Sequence, residues 1–316
     1  MAHTRNTSWD AIVVGASFGG LAFASGAAAR GLRVLVLERD PVVGGVVRTT
    51  GVLFSDVLDL MDVPRRYLMN SVRQLEIRAP GHPSISVGSD VWRFYMADVT
   101  GMLQWMADSA QDHGATVRCG AIFTDATRDA DGRVRVTYTT KSDDGETTTH
   151  TEDAQIVIGA DGAHSQVARR TGLDQNTAFL AGAEWLVEGV SLSRETFYLV
   201  MDHELAPGYC VWLAPHGDIA ALGVAGHSRA FKPGETLQLA QSLFAHVTDL
   251  SQMQLVQRKG GVIPIGGRLK RVYRDDAQAR ALLLGDAAGL CGAATGGGIY
   301  PALLSGRLAA HAVANE

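Results

Sequence analysis

Leu283-Leu284-Gly285-Asp286-Ala287-Ala288-Gly289, followed by Thr295-Gly296-Gly297-Gly298-Ile299-Tyr300-Pro301, is the stretch on which the fold turns. It reads as a short apolar strand ending in a Gly-Asp turn, then a glycine cluster that opens a helix. The other end of the chain carries a counterpart. Asp10-Ala11-Ile12-Val13-Val14-Gly15-Ala16-Ser17-Phe18-Gly19-Gly20 is a buried strand that runs into a glycine turn and a helix. Two such elements predict one elongated ligand held at two points by a single sheet.

Between them the pattern divides the chain. Residues 11–14 and 32–37 form apolar runs, interrupted only by Arg33, and are separated by a small-residue helix over 19–30, the signature of a parallel βαβ unit. From 44 to 93 the periodicity loosens. Met102, Met106 and Ala110 recur at helical spacing, and Gly114 stops that helix. Residues 134–139 and 147–151, with Asp131-Gly132 and Asp144-Gly145 turns, predict an antiparallel meander. Residues 156–158 return to the parallel sheet and end at Gly159-Ala160-Asp161-Gly162. From 176 to 271, alternating stretches with Trp185, Tyr209 and Trp212 predict an antiparallel sheet with one apolar face, and 231–250 reads as one amphipathic helix. The expected fold class is α/β: a Rossmann-type domain with a parallel sheet, helices and a β-meander, and an inserted antiparallel-sheet domain. The first is assigned 1–60, 96–175 and 272–316, the second 61–95 and 176–271.

Composition narrows the function. At 316 residues, 46% apolar and 19% charged, the chain has the make-up of a globular protein with room for two domains. A formal net charge of -5 without a basic cluster argues against nucleic-acid binding. Cys119, Cys210 and Cys291 stand far apart with no Cys-x-x-Cys pair, which fits a reducing cytosol and no zinc site or disulfide framework. The ten histidines include no pair at metal-ligand helical spacing, so no metal is expected. The apolar stretch 287–304 is broken by Gly296, Gly297, Gly298 and Pro301 and reads as buried structure, not a membrane span. A cytoplasmic location is expected, with peripheral contact at a membrane left open.

The first turn is Gly15-x-Ser17-x-x-Gly20, a dinucleotide fingerprint with serine at its second position and Gly19 before the last glycine. The first glycine makes the tight turn, the second lets the backbone approach a pyrophosphate, and the third allows close helix–strand packing. Glu38, at the end of the second strand and followed by Arg39, is placed to accept hydrogen bonds from a ribose diol without a 2′-phosphate. Arg48 reads equally as a phosphate contact and as a solvated loop residue. A ligand of nicotinamide type needs one such turn. Here Asp161-Gly162 and Gly285-Asp286 end two further strands, which moves the reading to FAD.

These three motifs, in this order and spacing, resemble the FAD-binding set of the para-hydroxybenzoate hydroxylase-like flavoproteins. Within that superfamily the chain resembles the geranylgeranyl reductase family, through 285–289, Gly298-Ile299-Tyr300 and Ser305-Gly306-Arg307. The resemblance implies that Asp286 and Gly289 serve the ribityl or ribose side, and that Gly296, Gly297, Gly298 and Ile299 lie at the flavin ring. Free amides there would stabilise negative charge on reduced flavin. Pro207-Gly208-Tyr209-Cys210-Val211-Trp212-Leu213-Ala214-Pro215 is similar to that family's substrate-pocket motif, which implies Tyr209, Trp212 and Pro215 as substrate contacts.

Three departures accompany the resemblance. Two residues separate Tyr209 from Trp212 where the family has one. Val99 stands where an arginine that helps hold the cofactor is usual. Relatives continue beyond the helix at 309–313, so the family's C-terminal extension is expected to be absent.

The resemblance implies an FAD-dependent reductase that saturates C=C bonds of a geranylgeranyl-type lipid or diphosphate. NADPH, another reductant or an electron-donor protein would supply the electrons, and the substrate is a hydrophobic isoprenoid. The proton donor is unassigned: solvent, Tyr209 and Tyr300 are the candidates. The same motifs also fit an FAD-dependent aromatic or polyketide monooxygenase, or a non-catalytic flavin or lipid carrier. A halogenase is disfavoured, because no lysine stands in a matching tryptophan-rich motif.

Overall fold

The structure is a computed structural model that describes residues 8–142, 144–227 and 231–316. It divides into two compact units: the described residues of Met1–Val46, Thr100–Thr177 and Pro264–Glu316, and those of Val47–Val99 and Ala178–Ile263.

The first unit is built on five parallel strands in the order Arg280–Leu283, Thr147–Gly159, Trp9–Val14, Val34–Leu37 and Thr116–Arg118, with Tyr273–Asp275 antiparallel at one edge. Trp9–Val14 and Val34–Leu37 have no charged residue after Asp10, and every residue from Ala11 to Val14 and from Val34 to Leu37 is buried. That double-sided burial is the reason the strands read as continuous apolar runs. The register aligns Leu37 with Val14, Val14 with Gly159, and Gly159 with Leu283. The residues that follow (Glu38, Gly15, Ala160 and Leu284) therefore leave the sheet side by side at its carboxyl edge. The strand order reverses between Trp9–Val14 and Thr147–Gly159, and that edge at that reversal is where open α/β sheets bind ligands.

The meander and the third parallel strand, expected as separate pieces, form one strand, Thr147–Gly159. Its polar half pairs antiparallel with Val134–Lys141, and from Ala154 onward it pairs parallel with Trp9–Val14. Ala154 belongs to both ladders, so nothing interrupts the extended backbone.

Helix Phe18–Ala28 is apolar all round, as a helix covered on both sides must be. One side packs on helix Ile299–Ala314 through glycines. A Cβ at Gly306 would lie 2.3 Å from the Gly19 carbonyl oxygen, and one at Gly26 would lie 3.0 Å from the Ala310 Cβ. Pro301 sits in the first turn of Ile299–Ala314, where its missing N–H costs no intrahelical bond.

The second unit has a seven-stranded sheet in the order Gln254–Pro264, Phe179–Glu188, Ile219–Gly226, Val211–His216, Thr196–Val200, Gln74–Arg78 and Ile85–Gly88. A three-stranded sheet runs Val52–Phe54, Phe94–Ala97, Leu68–Val72. Two expectations change here. The large sheet is mixed, because Thr196–Val200 pairs parallel with Gln74–Arg78. Both its faces are buried at the centre, since Val211 to Pro215 are all covered. The helix expected over 231–250 is Pro233–Ala240 followed by a 3₁₀ turn at Gln241–Phe244 and irregular turns. The Ser242 hydroxyl donates to the Leu239 carbonyl at 3.2 Å, a side-chain competitor for the helical ladder. Leu237, Phe244 and Leu250 still reach the core beneath the sheet, so the apolar pattern is satisfied without a continuous helix.

Candidate functional site

The glycine turn after Trp9–Val14 is closed by its own backbone. Gly15 has φ +102°, and a Cβ there would stand 2.5 Å from the Ala160 carbonyl oxygen, so the two neighbouring strand ends approach as only glycine permits. The Ser17 hydroxyl donates to the Ala160 carbonyl at 3.0 Å and accepts the Gly20 amide at 3.4 Å, capping helix Phe18–Ala28. Serine therefore does structural work at this position, joining the first turn to the Ala160 turn. Glu38 accepts the Ala16 amide at 2.8 Å and the Asp40 amide at 3.0 Å, one on each oxygen. Each oxygen keeps a lone pair for a hydroxyl. Arg39 is exposed and lies 3.9 Å from Asp40.

The Asp161 carboxylate is engaged within the chain. It accepts the Ser165 hydroxyl at 2.6 Å, the Gln166 amide at 2.6 Å and the Val167 amide at 3.1 Å, at the start of helix Gln166–Thr171. Burial raises its pKa and these bonds oppose the rise. Gly162 beside it faces open space.

Asp286 is the contrasting case. Its carbonyl accepts the Asn176 side-chain amide at 2.8 Å, whereas its carboxylate has no hydrogen-bond donor among the described residues. Burial alone raises its pKa. One carboxylate oxygen lies 3.0 Å from where a Cβ at Gly298 would be, so the acid rests against the glycine loop. That loop is tied by Gly296 N–H to Gly292 C=O at 2.8 Å and Gly297 N–H to the Thr295 hydroxyl at 3.2 Å. It leads into helix Ile299–Ala314, which no side chain caps. The amides of Ile299 and Tyr300 consequently have no acceptor within the helix. Gly289, at φ +70°, passes 2.5 Å (by its missing Cβ) from the Gly267 carbonyl oxygen. Cys291 is buried, and that burial with the nearby Asp286 charge pushes its thiol up to about 12, an inert group.

One edge thus offers a tight turn with a capped helix N-terminus, a half-buried Glu38, a half-buried Asp286 carboxylate without a donor and a second helix that no side chain caps. These features fit FAD. The first turn suits a pyrophosphate, Glu38 and Asp286 suit hydroxyl donors, and the free amides suit an electron-rich ring.

The remaining expected residues fall in both units. Arg48 belongs to the second unit, exposed, with its Cβ 3.4 Å from the position a Gly261 Cβ would take. Val99 is buried against Gly51 in that same unit. Tyr300 is half-buried in the first turn of the final helix. Tyr209 lies in the turn before Val211–His216, its amide bonded to Ala206 C=O at 3.0 Å. Trp212 and Pro215 are three apart on one strand and face opposite sides of the sheet.

Trp212 is 8% exposed and lies flat over Gly223, whose Cβ would meet the indole at 2.1 Å. Its indole N–H donates to Glu184 at 3.0 Å, and Lys259 stands 3.5 Å from the other Glu184 oxygen. The Lys259 and Glu184 side chains are 8% and 6% exposed. His216, on the same strand face as Trp212, keeps a buried Nδ1 without a partner, and burial with the Lys259 charge lowers its pKa. One faint signal of this cluster is a glutamate inside the otherwise apolar run 179–187.

Comparison with known proteins agrees with the geometry. The family described as FAD dependent oxidoreductase matches residues 10–181. The chain is 30% identical to a digeranylgeranylglycerophospholipid reductase of Methanothrix thermoacetophila, over 97% of this chain and 78% of that protein. A geranylgeranyl bacteriochlorophyll reductase-like protein of Thermoplasma acidophilum shares the fold, with TM-score 0.85 and 23% identity over 98% of this chain and 78% of the other. A flavin-dependent brominase shares it at TM-score 0.76 and 14% identity, over 97% and 80%. Fold and site together define an FAD-dependent oxidoreductase. Within that class, the chain belongs to the geranylgeranyl reductase family.

Among the described residues no cluster of metal-ligating side chains occurs, and no helix is long and apolar enough to cross a membrane.

Proposed function

We propose that the protein saturates C=C bonds in the prenyl chain of an isoprenoid lipid, in the manner its relatives' names describe. The observation that carries this reading is sequence identity of 30% running along 97% of the chain to a reductase of digeranylgeranylglycerophospholipid. The bound cofactor, when reduced, supplies a hydride. The chain's own residues hold and shield. The turn at Gly15–Gly20 seats the pyrophosphate and Glu38 takes the ribose diol. Asp286, half-buried and without a donor of its own, receives a cofactor hydroxyl on its carboxylate. The amides of Ile299 and Tyr300 favour added negative charge on whatever ring they face.

In the second unit, Trp212 serves the substrate site by bracing its sheet against Gly223 and Glu184, since its indole is itself buried. Pro215 packs on the opposite face and its part is structural. A proton must also reach the alkene. Solvent, Tyr209 and Tyr300 are the sources considered, and unchanged turnover in Tyr209→Phe would remove the second. NADPH or an electron-donor protein is the expected source of electrons, and peripheral contact with a membrane would give access to the lipid.

The test is anaerobic. The protein is loaded with FAD, reduced with dithionite, freed of excess reductant and mixed with a geranylgeranyl lipid. Recovery of the oxidised-flavin absorbance without oxygen, with product mass raised by two hydrogens per bond, is the expected result. Flavin that stays reduced until air enters would refute alkene reduction and favour oxygen chemistry.

A further inference from the structure

We propose that Asn176 is a positioning residue that clamps together the two Gly/Asp turns of the cofactor edge. The inference rests on FAD being the cofactor. Strands Thr147–Gly159 and Arg280–Leu283 pair over only three residues, ending at Gly159 and Leu283, with one more link from Leu284 N–H to Gly159 C=O at 2.8 Å. The Asp161-Gly162 and Gly285-Asp286 turns begin where this ladder stops. The Asn176 side chain bridges them: its Nδ2 donates to the Ala163 carbonyl at 3.0 Å and to the Asp286 carbonyl at 2.8 Å. The opposite amide orientation would set an oxygen against both carbonyls, so the network itself fixes which atom donates.

Asn176 is delivered rigidly to this place. Leu173 N–H bonds the Ala168 carbonyl at 2.9 Å. Asp174 N–H bonds the Arg271 carbonyl at 3.1 Å, and the Arg271 amide returns to the Asp174 carboxylate at 2.9 Å. Its Oδ1 is buried without a donor and lies 3.1 Å from the place a Gly289 Cβ would take. One amide therefore touches Ala163, Asp286 and the space at Gly289, a residue from each part of the two turns. Fixing the Asp286 peptide sets where that residue's unpartnered carboxylate can point.

Asn176→Ala removes both donors, Asn176→Ser keeps one, and Asn176→Asp keeps the shape while presenting acceptors to two carbonyls. FAD dissociation constants, read from flavin fluorescence on titrating apoprotein, are expected to rise about tenfold for Ala, less for Ser and about a hundredfold for Asp. Bound flavin should also change its visible circular dichroism, a signal that general loss of stability does not move. Melting temperatures of the apoproteins separate the two effects. Variants that melt lower yet bind FAD with wild-type affinity and dichroism would overturn the clamp and leave Asn176 a framework residue. Asn176→Asp binding as well as wild type would overturn it directly. Wild-type protein that takes up no FAD would overturn the cofactor assignment, and this role with it, in a separate arm of the same titration.

Discussion

Gly306→Ala adds one methyl group in the middle of helix Ile299–Ala314, where alanine would ordinarily favour the helix by about 1 kcal/mol. The structure predicts the opposite sign. The new Cβ would stand 2.3 Å from the Gly19 carbonyl oxygen, 3.0 Å from the Phe23 amide nitrogen and 3.0 Å from the Ala22 Cβ. Two of these atoms are backbone of helix Phe18–Ala28, and no rotamer change can clear them. An ordinary contact needs about 3.5 Å, so the helices must separate by roughly 1 Å, a shift a close-packed interior resists. Overpacking of this kind costs about 1–3 kcal/mol, partly offset by the helix propensity. Because the clash is with backbone, the cost lies at the upper end and leaves about 2 kcal/mol net of propensity; for a unit of this size each kcal/mol moves the melting temperature by about 2–4 °C, so a fall of roughly 4–8 °C is expected by calorimetry. Gly19 lies in the turn proposed to seat the pyrophosphate, so FAD affinity should fall as well. Gly234→Ala, at a helical position with nothing near its Cβ, is the control and should leave stability unchanged or raise it. A Gly306→Ala protein that melts with wild type and binds FAD equally would refute the close-approach argument.

Asp286→Asn removes the unpartnered carboxylate and should weaken FAD about tenfold or more by fluorescence titration, without lowering the apoprotein's melting temperature. Burial raises the Asp286 pKa, so in the apoprotein this group's favourable contribution is complete at low pH and is lost as pH rises through its folded value. A cofactor hydroxyl donating to the carboxylate favours the charged form, so FAD should bind more tightly as pH rises through that value, and Asn should flatten the profile. Glu184→Leu leaves Lys259 buried and unpaired and should cost about 3–5 kcal/mol by urea unfolding. Glu184→Leu with Lys259→Met should recover most of that loss, and a double variant no better than the single would refute the pairing. Gly223→Ala forces the Trp212 ring from its place and should shift tryptophan emission to longer wavelength as the indole meets water.

The parallel sheet was legible because its central strands are buried on both faces, and burial leaves the same mark in sequence that it leaves in space. Residues 11–14 and 34–37 announce themselves without knowledge of their neighbours. The fusion of the meander with the parallel strand was not legible. Polar residues 147–153 and apolar 154–158 differ in their surroundings, and only the shared pairing at Ala154 makes them one strand. The helix over 231–250 failed for a related reason. Apolar spacing records which residues enter the core, and Leu237, Phe244 and Leu250 enter it from a helix and turns alike.

At the cofactor edge, recognition depends on backbone that comes close to backbone, and only glycine allows that. Gly15 against Ala160 and Gly289 against Gly267 are contacts of this type, so the motif is written in the residue that makes it. Side chains follow no such rule. Asp161 and Asp286 look equivalent in sequence, each beside a glycine after an apolar strand. Asp161 has Ser165 and two amides of a following helix to cap, and three donors engage its carboxylate. Asp286 is followed by a 3₁₀ turn at Gly285–Ala288 that caps without a side chain, and its carboxylate stays without a donor. What separates an aspartate whose carboxylate is engaged within the chain from one whose carboxylate has no donor is therefore the element that comes next, not the motif. The same logic explains why Asn176, Glu184 and Lys259 escaped notice. Each acquires its role from partners brought near by strand pairing or loop closure, and no spacing along the chain encodes those partners.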